Sequence, residues 1–69
     1  MNYNFLKGKI IEKLGSQTEF AKKLNLSNQS LSAKLNNKVK FSQEEIRLSI
    51  EILGLNDEEL KKCFFMPNV

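Results

Sequence analysis

Apolar side chains recur every three or four residues at the start of the chain, which is the spacing of an amphipathic helix. Tyr3, Leu6, Ile10 and Leu14 share one face of such a helix. Gly15 follows directly, and glycine readily takes the left-handed conformation that ends a helix. The pattern therefore predicts a first helix that runs to about Leu14.

Two short helices joined by a tight turn are predicted between Gln17 and Leu35. Ser16 and Ser27 each precede a helical pattern and can cap it with a hydroxyl group. Asn25 lies between the helices and tolerates the positive φ that a sharp turn requires. Ala21 is small enough to let the helices cross closely. The predicted buried positions are Phe20, Ala21, Leu24, Leu31 and Leu35.

Two further helices are predicted mainly from the signals at their starts. Ser42 and Asn56 each precede, by three residues, a glutamate that can complete a capping box. Apolar and polar residues alternate over residues 46–52, a pattern typical of a strand. We nevertheless predict a helix there, because its start signal is helical and Gly54 is placed to end it. The predicted fourth helix is apolar on two sides. The fifth helix is predicted to end before Pro67.

Together these elements predict an all-α protein, a compact five-helix bundle that forms a single domain over residues 1–69. The absence of histidine and the single cysteine, Cys63, exclude an intramolecular disulfide, a multi-cysteine metal site and the usual general base. We therefore expect no enzyme activity, no cofactor and no metal. The longest apolar run, residues 63–66, is far too short to span a membrane, and no signal peptide is visible, so we expect a cytoplasmic protein.

Charge is distributed unevenly along the chain. The net charge is +3; residues 1–40 hold eight lysines against two glutamates, whereas residues 41–69 hold three cations against six acids. A basic half is typical of proteins that bind a polyanion. A solvated lysine surface explains the same distribution equally well.

The segment from Gln17 to Asn37 resembles the helix-turn-helix of the lambdoid phage Cro and repressor DNA-binding domains. Gln17, the Glu19–Ala21 run and the Asn28–Leu31 run match that family's pattern. The resemblance implies a lambda-repressor-like bundle whose second and third helices form the helix-turn-helix. It also implies a transcriptional regulator that binds double-stranded DNA in sequence-specific fashion, as a phage repressor does.

The third helix, residues 28–36, would be the recognition helix in the major groove. Amides suit bidentate contact with adenine, and a methyl group can meet that of thymine. The predicted base-contacting residues are Asn28, Gln29, Ser30, Ser32 and Ala33. The predicted phosphate-contacting residues are Gln17, Lys34, Asn37, Lys38 and Lys40.

Proteins of this class commonly bind a palindromic operator as dimers. We therefore expect a homodimer formed by the fourth helix and the C-terminal tail, through Leu48, Ile52, Phe64, Phe65 and Met66. The alternative is a small helical protein-interaction module that does not bind DNA. The two-sided fourth helix and the Phe/Met-rich tail motivate this second hypothesis.

Overall fold

Five helices follow one another along residues 2–65, the part of the chain that the computed structural model describes. They are α1 (Asn4–Leu14), α2 (Gln17–Lys23), α3 (Asn28–Leu35), α4 (Gln43–Leu53) and α5 (Asp57–Phe64). No strand occurs within these described residues. The structure confirms the predicted all-α, five-helix architecture, including the helical assignment of the strand-like segment in α4.

Four of the five helices begin at a side chain that caps them. The oxygens of Ser16, Ser27, Ser42 and Asn56 each accept a hydrogen bond from the backbone N–H three residues further on, at 2.8–3.2 Å. At α4 and α5 the glutamate at that third position returns the bond, which completes a capping box. Each such cap stabilises its helix by about 1 kcal/mol.

Left-handed residues end the helices and form the turns between them. Gly15 and Gly54 have φ of 85° and 63°, and Asn25 and Asn37 have φ of 63° and 64°. The turn between α2 and α3 is closed by the Leu26 N–H, which donates to the carbonyl of Ala21 at 2.8 Å. The predicted tight turn between the second and third helices is therefore present.

The hydrophobic core lies where α1 packs against α2, α4 and α5. Its fully buried side chains include Leu6, Ile10, Phe20, Ala21, Leu31, Leu53 and Cys63. Burial, and secondarily the nearby Glu59 carboxylate, raises the pKa of the Cys63 thiol to about 11. The thiol is therefore a protonated packing group at neutral pH.

An ion pair joins the outer edges of α1 and α5. The Lys9 ammonium contacts the carboxylates of Glu59 and, at 3.4 Å, Glu12. Its hydrogen bond with Glu59, reinforced by the Asn56 N–H, holds the pKa of the Glu59 carboxyl below its usual value. None of the helices within residues 2–65 has the length and apolar character needed to cross a membrane.

Candidate functional site

The outward face of α3 consists of short, neutral, polar side chains. Asn28, Gln29, Ser30 and Ser32 are exposed, whereas Ala33 is half-buried. The Ser30 hydroxyl accepts a bond from the Ser27 hydroxyl at 3.0 Å, and Ser32 accepts one from the Asn36 amide at 3.4 Å. Four of the five predicted base-contacting residues are thus accessible, and the fifth is partly covered.

The only charged side chain of α3, Lys34, does not belong to that surface. The residue as a whole is 9% exposed, and its Nζ lies 2.9 Å from Glu45 Oε1 on α4. The same ammonium donates to the Lys40 carbonyl at 3.2 Å and lies 5.9 Å from the centre of the Phe41 ring. The packing of α3 against the start of α4 thus encloses the Lys34 side chain, and the phosphate contact expected for it stays a prediction.

Glu45 has two roles in this arrangement. Besides pairing with Lys34, its Oε1 accepts the Ser42 N–H at 2.9 Å and so caps α4. Burial by itself raises the pKa of the Glu45 carboxyl, but the Ser42 hydrogen bond and the Lys34 ammonium outweigh that effect. The net result is a pKa below the usual value. Glu45 is therefore ionised at neutral pH and holds the α3–α4 loop, residues 36–42, from both ends.

The other predicted phosphate-contacting residues lie on two separate elements. Gln17 is exposed in the first turn of α2. Asn37, Lys38 and Lys40 are exposed in the α3–α4 loop, where Asn37 and Lys40 border a groove.

Three aromatic rings from distant parts of the sequence form the floor of that groove, here called the aromatic groove. Tyr3 and Phe64 each pack edge-to-face against Phe41, with ring centres 5.3 Å apart, and against each other at 6.4 Å. Burial raises the pKa of the Tyr3 phenol. The groove encloses about 350 Å³, and its full lining is Tyr3, Asn37, Val39, Lys40, Phe41, Ile46 and Phe64. Sequence analysis missed this site; the aromatic Phe41 beside the basic loop was its only local signal.

The residues predicted to form a dimer contact do not share one exposed patch. Leu48 and Ile52 are half-buried and pack against the core, and Phe64 is buried. Phe65 is 60% exposed. Met66 lies outside the described residues. Both apolar sides of α4 thus already contact the protein's own interior.

Comparison with known proteins adds a relative whose structure is solved. This relative is the modulator of repression (MOR) of the temperate bacteriophage TP901-1 from Lactococcus lactis, known from a solution structure. Its sequence is 42% identical to that of this chain. The alignment covers 93% of this chain and 86% of that one, with a TM-score of 0.78. No curated protein matches the sequence significantly.

This similarity corrects the function predicted from the helix-turn-helix pattern. The related protein is a modulator of repression and not a repressor, so the prediction of an operator-binding transcriptional regulator is wrong. The predicted partners, double-stranded DNA with a palindromic operator and a second copy of the chain, are corrected with it.

The contact roles predicted for α3 and its neighbours depend on DNA as the partner. A second similarity concerns the family. The model of the family described as "Protein of unknown function (DUF739)" matches residues 1–67. That match takes in all five helices, from Asn4 to Phe64. The chain therefore belongs to the DUF739 family.

Proposed function

We propose that this chain modulates repression by binding another protein, as a small helical interaction module that does not itself bind DNA. The observation that carries the proposal is the 42% identity, over 93% of the chain, to a phage modulator of repression. The partner is a repressor protein of the same regulatory circuit, and the site of action is the cytoplasm. The helix-turn-helix fold supplies a rigid scaffold for surface contacts, since fold alone does not determine function.

Two surfaces of the structure support protein binding. The exposed amides and hydroxyls of α3 can exchange hydrogen bonds with a protein surface without the charge that duplex DNA requires. The aromatic groove offers an apolar depression next to exposed Val39. Protein interfaces typically combine aromatic residues at their centre with polar residues at their rim.

The test uses the repressor encoded in the same genome, together with a reporter gene placed behind a promoter that this repressor silences. Co-expression of the chain should change reporter output several-fold. Purified chain and purified repressor should also form a complex in isothermal titration calorimetry. The chain alone should show no specific shift of an operator fragment at physiological salt.

Two results would contradict the proposal. One is specific operator binding by the chain in the absence of repressor, with the steep loss at high salt that phosphate contacts produce. The other is the absence of both a complex and a reporter effect when the chain is folded, as judged by its helical circular dichroism spectrum.

A further inference from the structure

The aromatic groove has the features of a recognition site for a particular kind of segment. We propose that the groove binds a segment of the partner protein in which acidic residues flank a large apolar side chain; this inference rests on the proposed function. A large aliphatic or aromatic side chain of the partner would enter between Val39 and the rings of Tyr3 and Phe41. Carboxylates flanking that side chain would face Lys38 and Lys40.

The groove is large enough to receive a large apolar side chain of the partner together with part of its segment. Its volume of about 350 Å³ lies at the lower end of the range typical of binding pockets, about 300–1,000 Å³. Val39 is 51% exposed at its edge, although it is apolar and follows directly on an exposed lysine. Covering Val39 and the groove would remove apolar surface from water, which is the main favourable contribution to most protein association.

Charge at the rim selects an acidic occupant. The loop from Asn36 to Phe41 contains Lys38 and Lys40 and no acidic residue. Within residues 2–65, neither of these ammonium groups has a carboxylate at ion-pair distance, and the nearby Glu45 is already engaged by Lys34. A carboxylate-bearing partner is attracted to such a rim, whereas a basic one is repelled.

The loop is held in place before any partner arrives. Lys34 donates to the carbonyl of Lys40 at 3.2 Å and pairs with Glu45 at 2.9 Å, so the loop is tied to both α3 and α4. Phe41 is fixed between Tyr3 and Phe64. A groove with this degree of order loses little conformational entropy on binding, which favours affinity.

Binding of the purified repressor from the same genome to variants of the full chain tests this assignment. Val39→Asp places a carboxylate at the groove edge, and the double variant Lys38→Glu/Lys40→Glu reverses the charge of the rim. Each should weaken repressor binding at least tenfold. The matched control, Lys22→Glu/Lys23→Glu, makes the same charge change at two exposed positions on α2 and should alter the affinity less than threefold.

All variants change exposed side chains, and their thermal unfolding midpoints should stay close to that of the parent chain. Full affinity in both groove variants would overturn the groove assignment and leave the proposed function intact. Failure of the parent chain to bind the repressor removes the proposed function and this inference together. Sedimentation that shows a dimer of the chain alone, dissociated by Val39→Asp, would assign the groove to a second copy and overturn the inference.

Discussion

Lys34 Nζ lies 2.9 Å from Glu45 Oε1, and this contact joins the last turn of α3 to the first turn of α4. The two side chains are only 11% and 16% exposed. Little water is therefore available to either charge if the other is removed. The loop that borders the aromatic groove depends on this pair, because Lys34 also holds the carbonyl of Lys40.

Replacement of Lys34 by methionine is expected to lower the free energy of unfolding by about 2 kcal/mol. That value is below the ~3–5 kcal/mol seen for fully buried pairs because both side chains retain some contact with water. Urea unfolding followed by circular dichroism measures the change. Lys38→Met, at an exposed lysine in the adjoining loop, is the control and should cost less than about 0.5 kcal/mol. Equal effects of the two variants would contradict the role of the pair.

The stability of the fold should fall in acid. In the folded chain the pKa values of Glu45 and Glu59 are lowered, so the folded state binds protons less readily than the unfolded state. The resulting stabilisation is complete above the unfolded pKa of about 4.3 and is lost as the pH falls through the lower folded values. Urea midpoints between pH 7 and pH 3 should therefore decrease mainly below about pH 4.

The double variant Glu45→Gln/Glu59→Gln provides the control for this acid dependence. It should be less stable than the parent chain at pH 7 and should lose less stability between pH 5 and pH 3. A parent and a variant with the same pH profile would show that other carboxylates are responsible.

The left-handed Asn25 should be sensitive to the side chain placed there. Asn25→Ala is expected to cost about 1 kcal/mol, since a residue with a β-carbon and no local hydrogen-bonding group is strained at φ 63°. Asn25→Gly should stay within about 0.5 kcal/mol of the parent chain. Asn36→Ala, at an exposed residue with φ −99°, is a matched control for loss of an asparagine side chain. Equal thermal unfolding midpoints for Asn25→Ala and Asn36→Ala would contradict the strain argument.

The helix boundaries could be predicted from the sequence because they depend on neighbours a few residues apart. Ser42 identified the start of α4 even though the following residues alternate like a strand, and Gly54 identified its end. Asn25 identified the turn of the helix-turn-helix. In each case the hydrogen bond or the backbone conformation involves one short segment, which the sequence displays directly.

The candidate site could not be predicted in the same way. Lys34 and Glu45 meet only after α3 and α4 have packed, although the helical spacing already places Lys34 on the same face as Leu31 and Leu35. The rings of Tyr3, Phe41 and Phe64 come from the beginning, middle and end of the described chain. Both arrangements are products of tertiary packing, which hydrophobic periodicity does not specify.

The mistaken DNA-binding prediction has a different origin. The helix-turn-helix pattern predicts two short helices joined by a tight turn, and α2, α3 and the left-handed Asn25 agree with that local structure. The pattern does not state what the outer face of α3 contacts. The neutral amides and hydroxyls of residues 28–35 suit base edges as well as a protein surface, so the sequence did not separate the two hypotheses.

The side-chain caps that begin four of the helices also bear on how quickly the chain acquires its structure. Every cap bond joins residues three positions apart, so helix starts need no contact with distant segments to form. Individual helices form within about a microsecond, and small proteins dominated by local contacts reach the native state in microseconds to milliseconds. We therefore expect the slowest step to be the docking of α5 onto α1, because it brings together the two ends of the described sequence.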